Sequence, residues 1–156
     1  MLSSFVQTQI KKIISGFSRP LGYPKTHIKK VGVIGAGLMG HGISLVSSFN
    51  GIEVILIDKT EELATYGLSK INKILKNKID RTEISPNERE QILRLIYATD
   101  DYSLLKDCDL IIEAVFEDEK LKSDIYKKLK KNINDNEILS SNTSSFPISI
   151  LAKYSL

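Results

Sequence analysis

Lys30-Val31-Gly32-Val33-Ile34-Gly35-Ala36-Gly37-Leu38-Met39-Gly40-His41-Gly42-Ile43 decides how the chain folds. Its apolar run, residues 31–34, is short and uninterrupted, as in a parallel strand covered on both faces. The run ends in Gly35, Gly37 and Gly40, a GxGxxG spacing, and the glycines open a helix expected to reach about Phe49, where Asn50-Gly51 stops it. Gly35 permits the tight turn, Gly37 lets backbone approach a pyrophosphate, and Gly40 allows close helix–strand packing. The backbone of Gly35, Ala36, Gly37, Leu38, Met39 and Gly40 is therefore a candidate anion cradle at the positive end of a helix. The competing reading is a glycine turn needed for packing alone.

The residues beyond the turn separate these readings. Residues 53–57 form a second apolar run closed by Asp58, an acid at the distance a dinucleotide fold requires. Asp58 is placed to accept hydrogen bonds from both adenosine ribose hydroxyls and to repel a 2′-phosphate, which favours NAD over NADP. Lys59 weakens that preference. Asp58 and Glu61 also have capping-box spacing, ahead of a Lys-rich helix to about Ile79.

Further along, Ser85-Pro86-Asn87-Glu88 reads as a helix start with cap, first-position proline and reciprocal glutamate. Strands are expected at 96–99, 110–115 and 137–140, and a charged helix at 118–131 with Leu121, Ile125 and Leu129 on one face. A short helix begins at Pro147. Strands alternating with helices imply parallel pairing and right-handed crossovers. The expected fold is α/β, a doubly wound parallel sheet that stops before its last strand and before a helical C-terminal domain.

The 156 residues suit one modest domain, and no apolar run approaches the ~20 residues of a membrane span. The net charge of +3 is uneven: residues 1–30 hold six basic residues and no acid, leaving 16 basic against 19 acidic residues in the rest. A nucleic-acid binder needs its basic stripe on the folded domain, so that class is disfavoured. Residues 5–17 carry apolar side chains at helical spacing, open to three readings: a packed helix followed by a linker, a membrane-surface helix, or an organellar transit peptide. Residues 1–28 are taken as basic helix and linker, 29–156 as the NAD-binding domain. The location is expected to be cytoplasmic, or an organelle matrix if the tail is a transit peptide. Cys108, the single cysteine, lies between Asp107 and Asp109 and reads as a packed residue, not a nucleophile. His41 lies in the first turn of the phosphate-facing helix and faces the pyrophosphate end. His27 has no visible role, and no metal site is indicated.

Three blocks carry a resemblance. The glycine stretch, Ile111-Ile112-Glu113-Ala114-Val115-Phe116-Glu117-Asp118, and Ser141-Asn142-Thr143-Ser144-Ser145 together resemble the NAD-binding domain of 3-hydroxyacyl-CoA dehydrogenases, over roughly residues 28–156. Residues 18–29 also resemble the linker preceding this domain in multifunctional fatty-acid oxidation proteins. The resemblance implies oxidation of the 3-hydroxyl of an acyl-CoA, with hydride passing to NAD. It implies that Ala114, Val115, Phe116 and Glu117 line the nicotinamide-side ribose region and that Lys122 contacts the cofactor or the acyl-CoA. Asn142 and Ser144 would sit at the nicotinamide, Ser144 also holding the substrate oxygen. Without the family, Glu117 and Lys122 read as a solvated helix start and Ser144 as a turn residue.

The family's general base is a histidine in a Gly-x-His-Phe-Phe-Asn-Pro strand beyond the serine that matches Ser144, and the 156 residues do not contain that strand. Its supporting glutamate and the helical domain that closes over acyl-CoA are likewise not in the sequence. The family serine and lysine that contact CoA align with Ile74 and Arg81. Two functions are carried forward: the NAD-binding portion of a 3-hydroxyacyl-CoA dehydrogenase, inactive alone and acting on acyl-CoA only when completed by a C-terminal piece or complementing chain, and a non-catalytic module that holds NAD or a partner.

Overall fold

The structure, a computed structural model, describes residues 27–133 and 137–155, with Thr8 and Gly22. The helix and linker expected over 1–28 lie almost wholly outside the described residues. Five strands form one parallel sheet: β1 (Lys30–Ile34), β2 (Glu53–Ile57), β3 (Ile96–Thr99), β4 (Leu110–Glu113) and β5 (Ile138–Ser141), in the order β3-β2-β1-β4-β5. Between them run α1 (Leu38–Phe49), α2 (Glu61–Asp80), α3 (Pro86–Arg94), a 3-10 turn (Tyr102–Leu105) and α4 (Glu119–Leu129), and α5 (Ile148–Ser155) follows β5. The doubly wound sheet is thus observed.

Side chains alternate across each strand, and both faces are covered. Val31, Val33, Val54 and Leu56 meet Ile71 and Leu75 of α2 and Ile92 of α3. Ile34, Ile55, Ile57 and Ile111 meet Tyr102 and Leu105 of the 3-10 turn, Ile125, Tyr126 and Leu129 of α4, and Leu151 of α5. Double coverage explains why the strands read as unbroken apolar runs. Cys108 is packed in the second layer, and burial pushes its thiol up to about 11, so it is neutral and inert at ordinary pH.

The register fixes where function can sit. Thr99, Ile57, Ile34, Glu113 and Ser141 are paired in one row across all five strands. The chain therefore leaves every strand along a common line, and the strand order reverses between β1 and β4. In such sheets a ligand crevice opens beyond the carboxyl ends at that reversal.

Some boundaries differ from expectation. Strand β4 ends at Glu113, two residues early, because the chain turns there to follow the crevice. The cap of α2 is Thr60, whose hydroxyl accepts the Leu63 N–H; Asp58 is engaged elsewhere. The 3-10 turn carries no periodicity a short window could show. On α4 the buried face is Lys122, Ser123, Ile125, Tyr126 and Leu129, while Leu121 is exposed. The expected capping box of α3 is present, with Ser85 and Glu88 bonded reciprocally. Replacing the cap by Ser85→Ala should cost ~1 kcal/mol, read in a melting curve as a fall of about 2–4 °C.

Candidate functional site

The turn after β1 is built without room for side chains. Gly35 takes a φ of +98°, and a Cβ there would stand 2.7 Å from the Ala114 carbonyl oxygen of the neighbouring turn. On Gly40 a Cβ would overlap the Gly35 carbonyl oxygen, so the first turn of α1 is pressed onto the end of β1. Gly37, by contrast, faces open space. It caps α1 with no side-chain hydrogen bond, and the adjoining Leu38 and Met39 are exposed. The result is a bare helix N-terminus aimed outward from the strand-end line. The only nearby imidazole, on His41, is tied back by Nδ1 to the Gly37 carbonyl at 2.6 Å.

Asp58 stands beside this turn. Its Oδ2 accepts the Ala36 N–H at 2.7 Å and its Oδ1 accepts the Lys59 N–H at 2.7 Å. These two amides hold the carboxylate on the wall of a cavity of about 490 Å³. Gly35, Gly37, Asp58, Ala114, Val115 and Phe116 all line it, closed on the far side by Tyr102, Leu121, Ile125 and Lys128. The Lys128 ammonium lies 3.9 Å from the centre of the Tyr102 ring, a cation–π contact. Burial, then the charge of Asp58, pushes the Tyr102 hydroxyl up to about 12, so the phenol itself stays protonated. Ala36 and Leu38 line an adjoining hollow with His41, Tyr66 and Lys70.

The remaining site residues lie over β4 and β5. Glu113 is 0% exposed and Lys122 is 1% exposed, and they form an ion pair with both carboxylate oxygens 2.8 Å from the ammonium. Glu113 Oε1 also accepts the Val115 N–H at 2.9 Å, and Oε2 accepts the Ser141 hydroxyl at 2.6 Å. The Tyr126 hydroxyl approaches Oε2 at 3.4 Å; burial raises it to about 12, and the Glu113 charge adds to that. The third contact of the ammonium is Glu117 Oε2 at 3.3 Å. Glu117 in turn accepts the Thr143 hydroxyl at 3.1 Å and the Ser144 N–H at 3.0 Å. Burial opposes its ionisation, but these donors and Lys122 outweigh it and hold its carboxyl below the usual range.

The structure thus gathers the glycine turn, Asp58 and the β4 turn at one cavity. Glu117, Asn142 and Ser144 follow the ends of β4 and β5 and do not line it; Ser144 is bonded to Glu117, and the Asn142 N–H to the Glu113 carbonyl. Lys122 lies beneath both turns and not on the cavity wall, and its burial excludes the solvated-helix reading of its residue type. Tyr102 and Lys128 were marked by no motif, and Glu113, though part of the Ile111–Asp118 block, was given no role.

The model of the 3-hydroxyacyl-CoA dehydrogenase NAD binding domain matches residues 30–155. The chain belongs to that family. A 3-hydroxybutyryl-CoA dehydrogenase of Mycobacterium tuberculosis is 43% identical over 122 residues, covering 78% of this chain and 43% of the relative. The fatty acid oxidation complex subunit alpha of Pseudomonas putida is 33% identical over 126 residues, 81% of this chain and 18% of that protein. The crystal structure of (S)-3-hydroxybutyryl-CoA dehydrogenase from Ralstonia eutropha superposes with a TM-score of 0.79 at 31% identity, covering 83% of this chain and 46% of that one. The chain therefore spans less than half the length of these relatives, the part that binds NAD. Among its described residues no helix is long and apolar enough to cross a membrane.

The buried pair has a thermodynamic consequence. Lys122→Met leaves the Glu113 carboxylate in the interior without its counter-charge, at a cost of about 3–5 kcal/mol. Urea unfolding should show a correspondingly lower midpoint; an unchanged midpoint would mean that water reaches Glu113.

Proposed function

We propose that this chain is the cofactor-holding part of an enzyme oxidising 3-hydroxyacyl-CoA to 3-oxoacyl-CoA. The supporting observation is the uncapped α1 N-terminus with Asp58 locked against it at 2.7 Å, both on one cavity of about 490 Å³. A glycine turn needed for packing alone requires neither the anchored acid nor the cavity.

The residues fit a dinucleotide. The free N–H groups of the first turn of α1 and its dipole would hold the pyrophosphate. Asp58 would accept from the adenosine ribose hydroxyls, and Tyr102, Leu121 and Ile125 would shelter the adenine ring from water. Ala114, Val115 and Phe116 would run alongside, with Glu117, Asn142 and Ser144 at the nicotinamide. NAD, when bound, supplies the hydride acceptor. For its part the chain orients that acceptor and, through the Ser144 hydroxyl, holds the substrate oxygen. The proton of the substrate hydroxyl needs a general base, worth about 10²–10⁴-fold. In the family this is the histidine of the Gly-x-His-Phe-Phe-Asn-Pro strand.

We further propose that this base and the acyl-CoA contacts come from residues beyond the matched region, in continuing chain or in a separate polypeptide. Strand β5 lies at the sheet margin with Ile138 half exposed, so a following parallel strand can pair there. Supplying the C-terminal region of a relative in trans should restore acyl-CoA-dependent NAD reduction. Lack of turnover with every such region, when complexes do form, would argue for a module that holds NAD without chemistry.

Titration of NADH fluorescence with the purified chain is expected to show saturable enhancement, with NADPH giving little. Asp58→Ala should weaken NADH binding about tenfold or more, the loss of hydrogen bonds to a charged acceptor. It should also narrow the preference over NADPH, because Lys59 and Lys128 then stand on the cavity wall without the opposing carboxylate. Equal affinity of wild type for both nucleotides would refute the role given to Asp58.

A further inference from the structure

A groove of about 260 Å³ opens at the other end of the sheet from the crevice, where β2 and β3 begin. Phe49 at the end of α1, Ile84 and Ile92 of the α3 region, and Leu95 line it, with Glu88 and Gln91 beside them. Small-molecule pockets run to about 300–1,000 Å³; this groove is smaller and suits apolar side chains. Phe49 is 44% exposed, and Val46, one turn earlier on α1, is 63% exposed, so the apolar surface continues along the helix.

Residues 5–17 of the same chain suit this groove by place, pattern and charge. The chain enters the described fold at His27, and Ile28 already packs in the same layer as Ile84 and Ile92. The Lys29 carbonyl accepts the Glu53 N–H and the Leu95 carbonyl accepts the Val54 N–H, so entry point and groove are two strand spacings apart, about 10 Å. Residues 18–26 can span at most about 30 Å, which is ample. At helical spacing Val6, Ile10, Ile13, Ile14 and Phe17 share one face, with Thr8, Lys11, Lys12 and Ser15 opposite; Thr8 is helical and exposed. A helix this short is marginal in water by itself, so its apolar face calls for a surface. A membrane-surface helix is rich in Lys and Arg on its polar face, and residues 5–17 carry only Lys11 and Lys12. The rest of the chain beyond residue 30 is net acidic, and Glu88 is the charged group among the described lining of the groove. We propose that residues 5–17 dock as a helix in the groove between the end of α1 and α3, with Val6, Ile10, Ile13 and Phe17 against Phe49, Ile84 and Leu95. The docked segment is a strap that closes the amino end of the sheet and leaves the crevice open, and it does not depend on NAD binding.

The test uses the full chain with a nitroxide spin label on Gln91→Cys, beside the groove, or on Glu62→Cys, exposed at the crevice end. Native Cys108 is buried and takes no label. The Gln91 label is expected to broaden the amide signals of residues 5–17, and the Glu62 label to leave them unchanged. Val6→Asp with Ile13→Asp, substitutions outside the sheet and its helices, should abolish the broadening. Phe49→Asp should abolish it from the other side, with cooperative unfolding as the check that this variant is folded. No broadening from the Gln91 label, broadening from the Glu62 label instead, or broadening that survives the tail substitutions would overturn the proposal. Broadening passed from a labelled chain to an unlabelled one in a mixture would assign the groove to a second copy and overturn it as well. So would sedimentation with vesicles of phosphatidylserine and phosphatidylcholine accompanied by loss of the Gln91 contact, which would assign the apolar face to a membrane.

Discussion

No atom fits between Gly40 and the carbonyl of Gly35, and much of the site depends on that contact. It makes α1 start immediately beyond β1, on the line where all five strands end. It also excludes a long connecting loop whose own polar groups could cap the helix, so the first-turn N–H groups are left to face the crevice. An uncapped N-terminus is normally a cost. Here the same feature leaves backbone donors open to the crevice. Asp58 completes the arrangement from the next strand, since the Ile34 and Ile57 register puts it level with the turn whose Ala36 N–H it accepts.

The second half of the crevice is organised on a different principle. Around β1 and β2 the backbone itself defines the geometry, through glycines and ladder hydrogen bonds. Around β4 and β5 side chains define it, through one ammonium and two carboxylates. Backbone geometry is set by sterics and changes little with conditions. A buried charge cluster depends on each member being present, because the low-dielectric interior makes an unpaired charge far more costly than a paired one. The β4–β5 side of the crevice is therefore the more sensitive to substitution.

The contrast explains what could be read from sequence. Strands buried on both faces and glycines forced by close contact leave marks in residue type, so the sheet, the glycine turn and the acid beside it were all visible. The cap of α3 was visible too, because a capping box is local. The α4 face was misread: Leu121, Ile125 and Leu129 share a perfect helical stripe, yet Leu121 lines the cavity and Lys122 takes the interior position. Periodicity ranks residues by polarity, and a lysine neutralised by Glu113 from another strand counts as polar until the partner is known. Tyr102 and Lys128 escaped for a related reason, since their pairing joins a 3-10 turn to a helix far along the chain. Asp58 and Glu61 had cap spacing, but the stronger long-range bond to Ala36 drew Asp58 away and left the cap to Thr60.

A hydrocarbon pair of similar volume in place of Lys122 and Glu113 would avoid the desolvation of two charges and would commonly be as stable or more so. Stability alone therefore does not account for the pair. Its distinguishing property is that Glu113 accepts from Val115 and Ser141 as well as from Lys122. A methionine or leucine there would leave the amide and the hydroxyl without acceptors in the interior, each at a cost of about 1–3 kcal/mol. Once the β4 turn has to leave the sheet beyond Glu113 to follow the crevice, the Ala114 N–H still reaches the Ile34 carbonyl, but the next amide, of Val115, needs an acceptor that the ladder no longer supplies. One carboxylate serves that amide and the β5 hydroxyl together, and the buried Lys122 ammonium is its counter-charge. The charge pair is thus a consequence of where the chain must turn, and where it turns is set by the cofactor crevice.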